Sequence, residues 1–574
     1  MTSGAHWSSR RGLRSSKGVS AITGGGTVGR FDIIIVGAGA AGCLLANRLS
    51  ADPHCQVLLL EAGGHDRSPW FKVPIGYRHT IGNPSFDWCL DSGPEPGLGG
   101  RRVRHPRGKV IGGSTAINGM VAIRGQAADY DGWRDDFGLP GWGWNDLLPY
   151  FAQSQGNDDG GEWAVSPPRM WWPVLDSVKA GAMQAGIAAR TDFNDGDNLG
   201  VGAIQVNQRR GQRWSAADGF LKPVLHRPNL KLVTGALVDR VLLRPDDHGQ
   251  PRACGVVWRE GTTMHQAEAA SEVLLAAGAF ASPAILLRSG LGPAAELTAQ
   301  SIAPQVDLPG VGMNLHDHLQ LGLRYRLACA ATLNQAMHSH WSKAAMALRY
   351  ALTRRGPLTM APCQLGLFAR SRPEMDRADL GYNVLAFSRA PSSAGMAAAF
   401  DTFPGLTMIA YDLRPTSRGR LGLNAVSPKD PAAPPDFTMN YLATARDQQV
   451  ALDAIRLTRR IMATAALAAQ QPQEQGASAA IRSDDDVALL ALVAAQAGTI
   501  FHPVGSARMG RDDDLLAVVD AQLRVRGVRG LRVIDASAMP AVPSGNTASP
   551  CVMLAEKGAA MLRAGWRRGS GLAG

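Results

Sequence analysis

An α/β fold, with helices packed on a mostly parallel sheet, is what the 574-residue sequence predicts, and three observations carry that prediction. Phe31–Val36 is a short β-branched run, the pattern of a strand buried on both faces. Gly37-Ala38-Gly39-Ala40-Ala41-Gly42 follows at once and leads into Cys43–Leu49, which reads as an amphipathic helix. A second apolar run, Gln56–Leu60, ends in Glu61. The three together form a βαβ unit with a GxGxxG turn and an acid about twenty residues further on, the fingerprint of a dinucleotide site.

Each part of that unit has a physical task. Gly37 permits the tight turn, and Gly39 lets a pyrophosphate approach the backbone. The helix N-terminus offers free N–H groups and a partial positive charge to the phosphates. Gly42 lets helix and strand pack closely. Glu61 can accept hydrogen bonds from ribose hydroxyls, and its charge repels a 2′-phosphate. Ala62-Gly63-Gly64 offers another backbone-only approach. The bland alternative is a tight βα turn in an unrelated α/β domain.

Composition bounds the rest. The length exceeds one ordinary core, so two domains are expected. An apolar fraction of 45% and a charged fraction of 19% are those of a soluble globular chain. The seven cysteines are scattered with no CxxC pair, which fits a reducing compartment and neither a disulfide framework nor a zinc site. The net charge of +11 sits largely in the ends: no acid occurs in residues 1–30, and Arg563, Arg567 and Arg568 lie near the C-terminus. Solvated tails explain this better than a nucleic-acid face. Residues 1–30 read as a disordered extension or a start codon placed too early, and 566–574 as a flexible tail. No run approaches about 18 apolar residues, so no transmembrane segment is expected. The chain is read as cytoplasmic, with peripheral contact at the inner membrane left open.

Further along, Leu230–Thr234 and Ala236–Leu243 alternate like paired strands, followed by Gly255–Trp258. Val273–Gly278 is another buried strand ending in glycine, and Leu531–Asp535 is a late strand that can return to the same sheet. Pro106–Gly119 is a second glycine-rich element. In it Gly112 and Gly113, followed by Ser114 and Thr115, allow a bare loop to cover a planar or anionic ligand and then cap a helix.

Pro106–Gly119 resembles the first signature of the glucose-methanol-choline family of flavin oxidoreductases. Gly278–Pro293 resembles the second. Asp307–His318, Leu413–Arg420, Phe501–Gly505, Val533–Pro540 and Gly545-Asn546-Thr547 resemble further family segments, in order, over residues 31–562. The resemblance implies FAD, held in a Rossmann-like FAD-binding domain (31–155, 200–320 and 500–565). That domain is interleaved with a substrate-binding domain of antiparallel sheet backed by helices (156–199 and 321–499). It implies that Gly37, Gly39, Ala40, Ala41, Gly42, Glu61, Ala62, Val110, Gly112, Gly113, Ser114, Asn118, Gly119, Met120, Val121, Val238, Asp535, Ala536 and Thr547 hold FAD. The pattern is closest to bacterial choline and alcohol dehydrogenases.

Two residues are expected to carry chemistry. His502, in Phe501-His502-Pro503, has an imidazole suited to take a hydroxyl proton near neutral pH. Alone, a histidine is by default structural; the family match at Phe501–Gly505 assigns it as the base. Asn546 has turn chemistry as its plain reading. By resemblance it stands where an amide N–H meets the substrate oxygen. His316-Asp317-His318 puts two histidines on one face if extended, but no further ligands complete a metal site. The family segment is structural or cofactor-adjacent. His105 aligns with a position where some members tether FAD; the alternative is a basic-loop histidine stacked over the flavin edge or exposed.

The implied function is oxidation of a primary alcohol, or a related hydroxyl substrate, to the aldehyde, with oxygen or a quinone-type carrier as acceptor. Alternatives are a redox-neutral flavin lyase of the same family, a non-catalytic FAD-binding protein and an NAD-linked dehydrogenase. The 321–412 region is rich in Met, Ala and Leu and poor in acids, which favours an apolar or aromatic alcohol over a quaternary ammonium.

Overall fold

The computed structural model of the protein describes residues 26–390, 399–481 and 485–570. The chain opens with β1 (Thr27–Val36), α1 (Ala40–Leu49) and β2 (Val57–Glu61). It continues through β3 (Gly200–Ala203), β4 (Leu230–Thr234), β5 (Leu237–Pro245), β6 (Pro251–Glu260), β7 (Thr263–Leu275) and α2 (Gly278–Arg288). Next come β8 (Leu319–Arg326), α3 (His340–Thr353), β9 (Leu365–Ala369), β10 (Leu380–Leu385), β11 (Gly405–Asp412), α4 (Ala445–Met462) and β12 (Gln473–Gln475). It closes with β13 (Gly498–Thr499), β14 (Leu531–Val533) and α5 (Ala548–Ser570).

These strands build two seven-stranded sheets. The first has the order β4-β2-β1-β7-β6-β5, with β14 beside the last residues of β7. β4, β2, β1, β7 and β14 run parallel, and β6 and β5 extend them as antiparallel strands. Ile33, Ile34, Ile35, Val57, Leu58, Leu59, Val273, Leu274 and Leu275 are wholly buried, as near-continuous apolar runs in a covered parallel sheet should be. The late strand at Leu531 does return to this sheet, against β7.

The second sheet has the order β12-β8-β11-β10-β9-β3, with β13 beside β8, and every pairing is antiparallel. Helix α4 backs it. Its Val450, Ala454, Ile455, Leu457 and Ile461 recur at helical spacing and are buried, and the Ala454 carbonyl accepts the Tyr382 hydroxyl of β10 at 3.0 Å.

Several expectations need correction. Leu230–Thr234 and Ala236–Leu243 are not partners: β4 pairs with β2 at one edge and β5 with β6 at the other. Alternation identifies a strand but carries no record of its neighbour. Gly200–Ala203, placed with the FAD-binding segments, pairs with Leu365–Phe368 in the second sheet. Of the expected extension, residues 1–25 lie outside the described residues, whereas Thr27–Arg30 already belong to β1. Of the expected tail, residues up to Ser570 continue α5, and 571–574 lie outside the described residues.

Candidate active site

The first glycine-rich turn lies where β1 hands over to α1 at the carboxyl end of the parallel strands. Gly37 has φ +99°, and a Cβ there would meet the Ala276 carbonyl oxygen at 2.6 Å. A Cβ at Gly42 would come within 1.8 Å of the Gly37 carbonyl oxygen, so helix and turn touch backbone to backbone. Gly39 differs: its Cβ would find only the Ala276 oxygen, 3.9 Å away. It is the helix N-cap and no side chain bonds there, so the first N–H groups of α1 have no side-chain cap.

The second glycine-rich loop lies across the first. The Gly112 N–H donates to the Ala38 carbonyl at 2.7 Å, and the Ile111 N–H to that of Gly64 at 3.0 Å. A Cβ at Gly113 would stand 2.8 Å from the Gly39 Cα. Gly37, Gly39, Ala40, Ala62, Ser114, Asn118, Gly119, Ala536 and Thr547 are partly exposed although core residues surround them. Backbone surrounded by core yet open is the form of a cradle. An anionic pyrophosphate fits it, since uncapped helical N–H groups and absent side chains are what phosphate oxygens need. Ala41, Val110, Gly112, Gly113, Met120, Val121 and Val238 are buried behind this surface. Their part in the cradle is through the backbone they position.

Two of the expected acids are engaged by the chain itself. Glu61 accepts the Ala38 N–H at 2.8 Å and the Gly63 N–H at 2.7 Å, and burial pushes its carboxyl up to about 7. Two lone-pair positions remain for ribose hydroxyls. Asp535 accepts from the Gly278 N–H (2.8 Å), the Ser282 hydroxyl (2.5 Å), the Ser537 N–H (2.8 Å) and the Ser537 hydroxyl (2.5 Å). It fixes Gly278, Ser282 and Ser537 rather than offering oxygens of its own. Gly278 has φ +87° and open space beside its Cα.

The two expected catalytic residues meet. The His502 Nε2 lies 2.9 Å from the Asn546 Nδ2. The His502 Nδ1 lies 3.0 Å from the His318 Nδ1, and the His318 Nε2 lies 3.0 Å from the Leu413 carbonyl oxygen. That oxygen can only accept, so it assigns the hydrogens along the row. His318 donates from Nε2 to Leu413 and holds a lone pair on Nδ1. His502 donates from Nδ1 to that lone pair. The lone pair of His502 therefore sits on Nε2, where the Asn546 amide donates. Burial pulls His318 down to about 4, and burial, His318 and Arg107 hold His502 well below the usual imidazole range. Both rings are neutral in this arrangement.

The turn carrying His502 is held from three sides. Asp317 accepts the His502 backbone N–H at 2.7 Å, the Tyr441 hydroxyl at 2.7 Å and the Thr499 hydroxyl. Thr499 in turn accepts the Phe501 N–H at 2.7 Å, and Arg107 donates to the Phe501 carbonyl at 2.7 Å. Phe501 has φ +74°, a left-handed conformation costly for a bulky residue. Asn546 and Thr547 immediately precede α5, whose 23-residue N-terminus favours negative charge at this spot. Arg48 on α1 pairs with Glu556 on α5 at 2.6 Å and ties that helix to the cradle.

Sequence reasoning did not assign His318, Asp317, Thr499, Tyr441 or Arg107 to the site. The two histidines of 316–318 have different partners. His316 donates from Nδ1 to the Asn314 carbonyl (2.6 Å) and accepts the Val542 N–H on Nε2 (3.0 Å), so its role is architectural. For His105 the solvent-exposed reading is corrected: its ring is 1% exposed, lies among Phe437, Phe280 and Tyr441 at centroid distances of 5.3, 5.8 and 6.4 Å, and neither ring nitrogen has a hydrogen-bond partner among the described residues. Burial pulls it down to about 3, so it is a neutral core ring.

Residues 31–320 match the N-terminal and 415–555 the C-terminal sequence models described as GMC oxidoreductase. The chain is 38% identical to an alcohol dehydrogenase [acceptor] of Pseudomonas putida over 547 residues, covering 93% of this chain and 95% of the relative. It is also 38% identical to an oxygen-dependent choline dehydrogenase of Burkholderia multivorans, covering 94% of each. Among solved structures, pyridoxine 4-oxidase from Mesorbium loti superposes with a TM-score of 0.81 at 28% identity, covering 93% of this chain and 99% of the other. A fungal aryl-alcohol oxidase gives 0.79 at 25%, covering 94% and 99%.

Proposed function

The chain belongs to the GMC (glucose-methanol-choline) oxidoreductase family, an FAD-dependent family acting on CH–OH donors, and from that premise we propose that it oxidises a primary alcohol to the aldehyde with His502 as base and Asn546 as its partner. The bound FAD supplies, at its N5 atom, the acceptor for the hydride that leaves the alcohol carbon. The observation that carries this reading is the row Leu413–His318–His502–Asn546, because it leaves a single lone pair, on His502 Nε2, facing the amide of Asn546.

The residues act in a set order. A hydroxyl entering between His502 and Asn546 donates its proton to Nε2. Nδ1–H stays on His318, so the imidazolium keeps both of its hydrogen bonds. The Asn546 N–H turns to the substrate oxygen and stabilises the negative charge that grows there as the proton departs. Asp317 does not touch the ring. It holds the His502 backbone through the N–H, which keeps Nε2 in place while the ring charges. The cradle of Gly37, Gly39, Ala40 and the 110–121 loop holds the dinucleotide.

Anaerobic mixing of the holoenzyme with a panel of alcohols tests the function. Bleaching of the flavin by one or more primary alcohols, with aldehyde formed in equal amount, is the expected result. Reoxidation by oxygen or by a soluble quinone then identifies the acceptor class. Flavin that no alcohol bleaches overturns the reading in favour of redox-neutral chemistry.

A further inference from the structure

Helix α3 (His340–Thr353) turns most of its surface to solvent. Met346 and Tyr350 face inward, whereas Trp341, Leu348 and Leu352 are 87%, 61% and 75% exposed. Trp341, Ala345, Leu348 and Leu352 follow a four-three-four spacing, which gathers them into one stripe opposite Met346 and Tyr350. Large apolar side chains in such a stripe are not the scattered exposed residues of an ordinary surface. Arg349 flanks the stripe, Lys343 lies on the side of Met346 and Tyr350, and Arg354 and Arg355 follow the helix. No Asp or Glu occurs between Asp317 and Glu374.

An apolar ridge edged by positive charge alone complements one kind of surface. The indole and leucines suit the boundary between headgroups and acyl chains, and the cations suit lipid phosphates. The helix is also coupled to the cradle. The Tyr350 hydroxyl donates to the Gly211 carbonyl at 3.2 Å. Beyond α3 the short turn Pro357–Thr359 leads to Pro362, and a Cβ at Gly119 would meet the Pro362 Cγ at 2.8 Å. The segment after the exposed helix thus packs on the second glycine-rich loop.

We propose that α3 is an interfacial anchor that docks the protein reversibly on an anionic lipid surface. At 14 residues it is too short to span a bilayer, and no helix among the described residues is long and apolar enough to cross one. The contact is peripheral, with α3 lying in the plane of the interface.

Sedimentation of the full-length holoenzyme with vesicles tests this. One set is phosphatidylcholine alone; the other is phosphatidylcholine with phosphatidylglycerol at roughly two to one. The wild-type protein should sediment with the anionic vesicles and not with the neutral ones, and added salt should weaken the association. W341S/L348S/L352S should lower the bound fraction by roughly tenfold or more while keeping flavin content and dye-linked turnover. If that variant fails to fold, R349E/R355E, which keeps the apolar stripe, should lose the preference for anionic vesicles. Charge reversal at the N-terminus, R10E/R11E/R14E/K17E, should leave binding in place. Binding lost with the N-terminal charges and retained in the α3 variants overturns the proposal. So does a lipid-free wild-type dimer that W341S/L348S/L352S converts to monomer, because the stripe would then be covered by a second copy. Failure to bind either vesicle overturns it as well.

Discussion

At the scale of single residues, the chemistry depends on where one hydrogen sits. Leu413 offers a carbonyl, so His318 must donate to it, so His502 must donate to His318, and Nε2 is left bare. Replacing His318 with Phe removes the acceptor for Nδ1 and lets the His502 tautomers exchange. Anaerobic flavin reduction by a good alcohol should slow by about one to two powers of ten in that variant, with FAD retained. A pH profile reads the same row differently. The neutral imidazole is the active base, and burial, His318 and Arg107 lower the proton affinity of His502. Activity is then present above the depressed value and lost only as pH falls through it. The acid limb of kcat/KM for flavin reduction should lie below the ordinary histidine value of about 6.5. An acid limb at or above that value contradicts the buried, neutral row. His502 and Asn546 were legible in the sequence because each sits in a short local motif. His318 was not, because its partner lies 184 residues away and its other ring contact is a backbone oxygen.

At the scale of elements, glycine decides whether the cradle exists. Gly39→Val should abolish FAD binding in an otherwise folded protein, since its Cβ points into open space next to the free helical N–H groups. Gly42→Val should behave differently. Its Cβ collides with the Gly37 carbonyl at 1.8 Å, so α1 must leave β1 and the fold itself should be lost, as read by circular dichroism. The strained turn at Phe501 gives a third case. Thr499→Val removes the acceptor of the Phe501 N–H and one donor to Asp317, and should cost about 1–3 kcal/mol in chemical denaturation together with a lower rate of flavin reduction. The βαβ unit was readable because its signals are local: a β-branched run, a glycine turn and a terminal acid. The separation of β4 from β5, and the capture of Gly200–Ala203 by the second sheet, were not. Strand partners are chosen by contacts distant in sequence, which periodicity does not encode.

At the scale of the whole molecule, the site exists only when separate parts of the chain assemble. The cradle comes from the first sheet, and Leu413 follows β11 of the second. His318 directly precedes β8, His502 follows β13, and Asn546 precedes α5. A ligand that binds this assembled form alone should stabilise it. Reconstitution of apoprotein with FAD at roughly a hundred times its dissociation constant should add about 2.7 kcal/mol and raise the melting temperature accordingly. The central claim is that this assembly removes a hydroxyl proton at His502 Nε2 while the flavin is reduced. Its most direct test is the single-turnover rate of anaerobic flavin reduction by a good primary alcohol in the His502→Ala holoenzyme. The account predicts a folded protein with full FAD content whose reduction is slower by about two to four powers of ten. A His502→Ala protein that holds FAD and is reduced at the wild-type rate contradicts it.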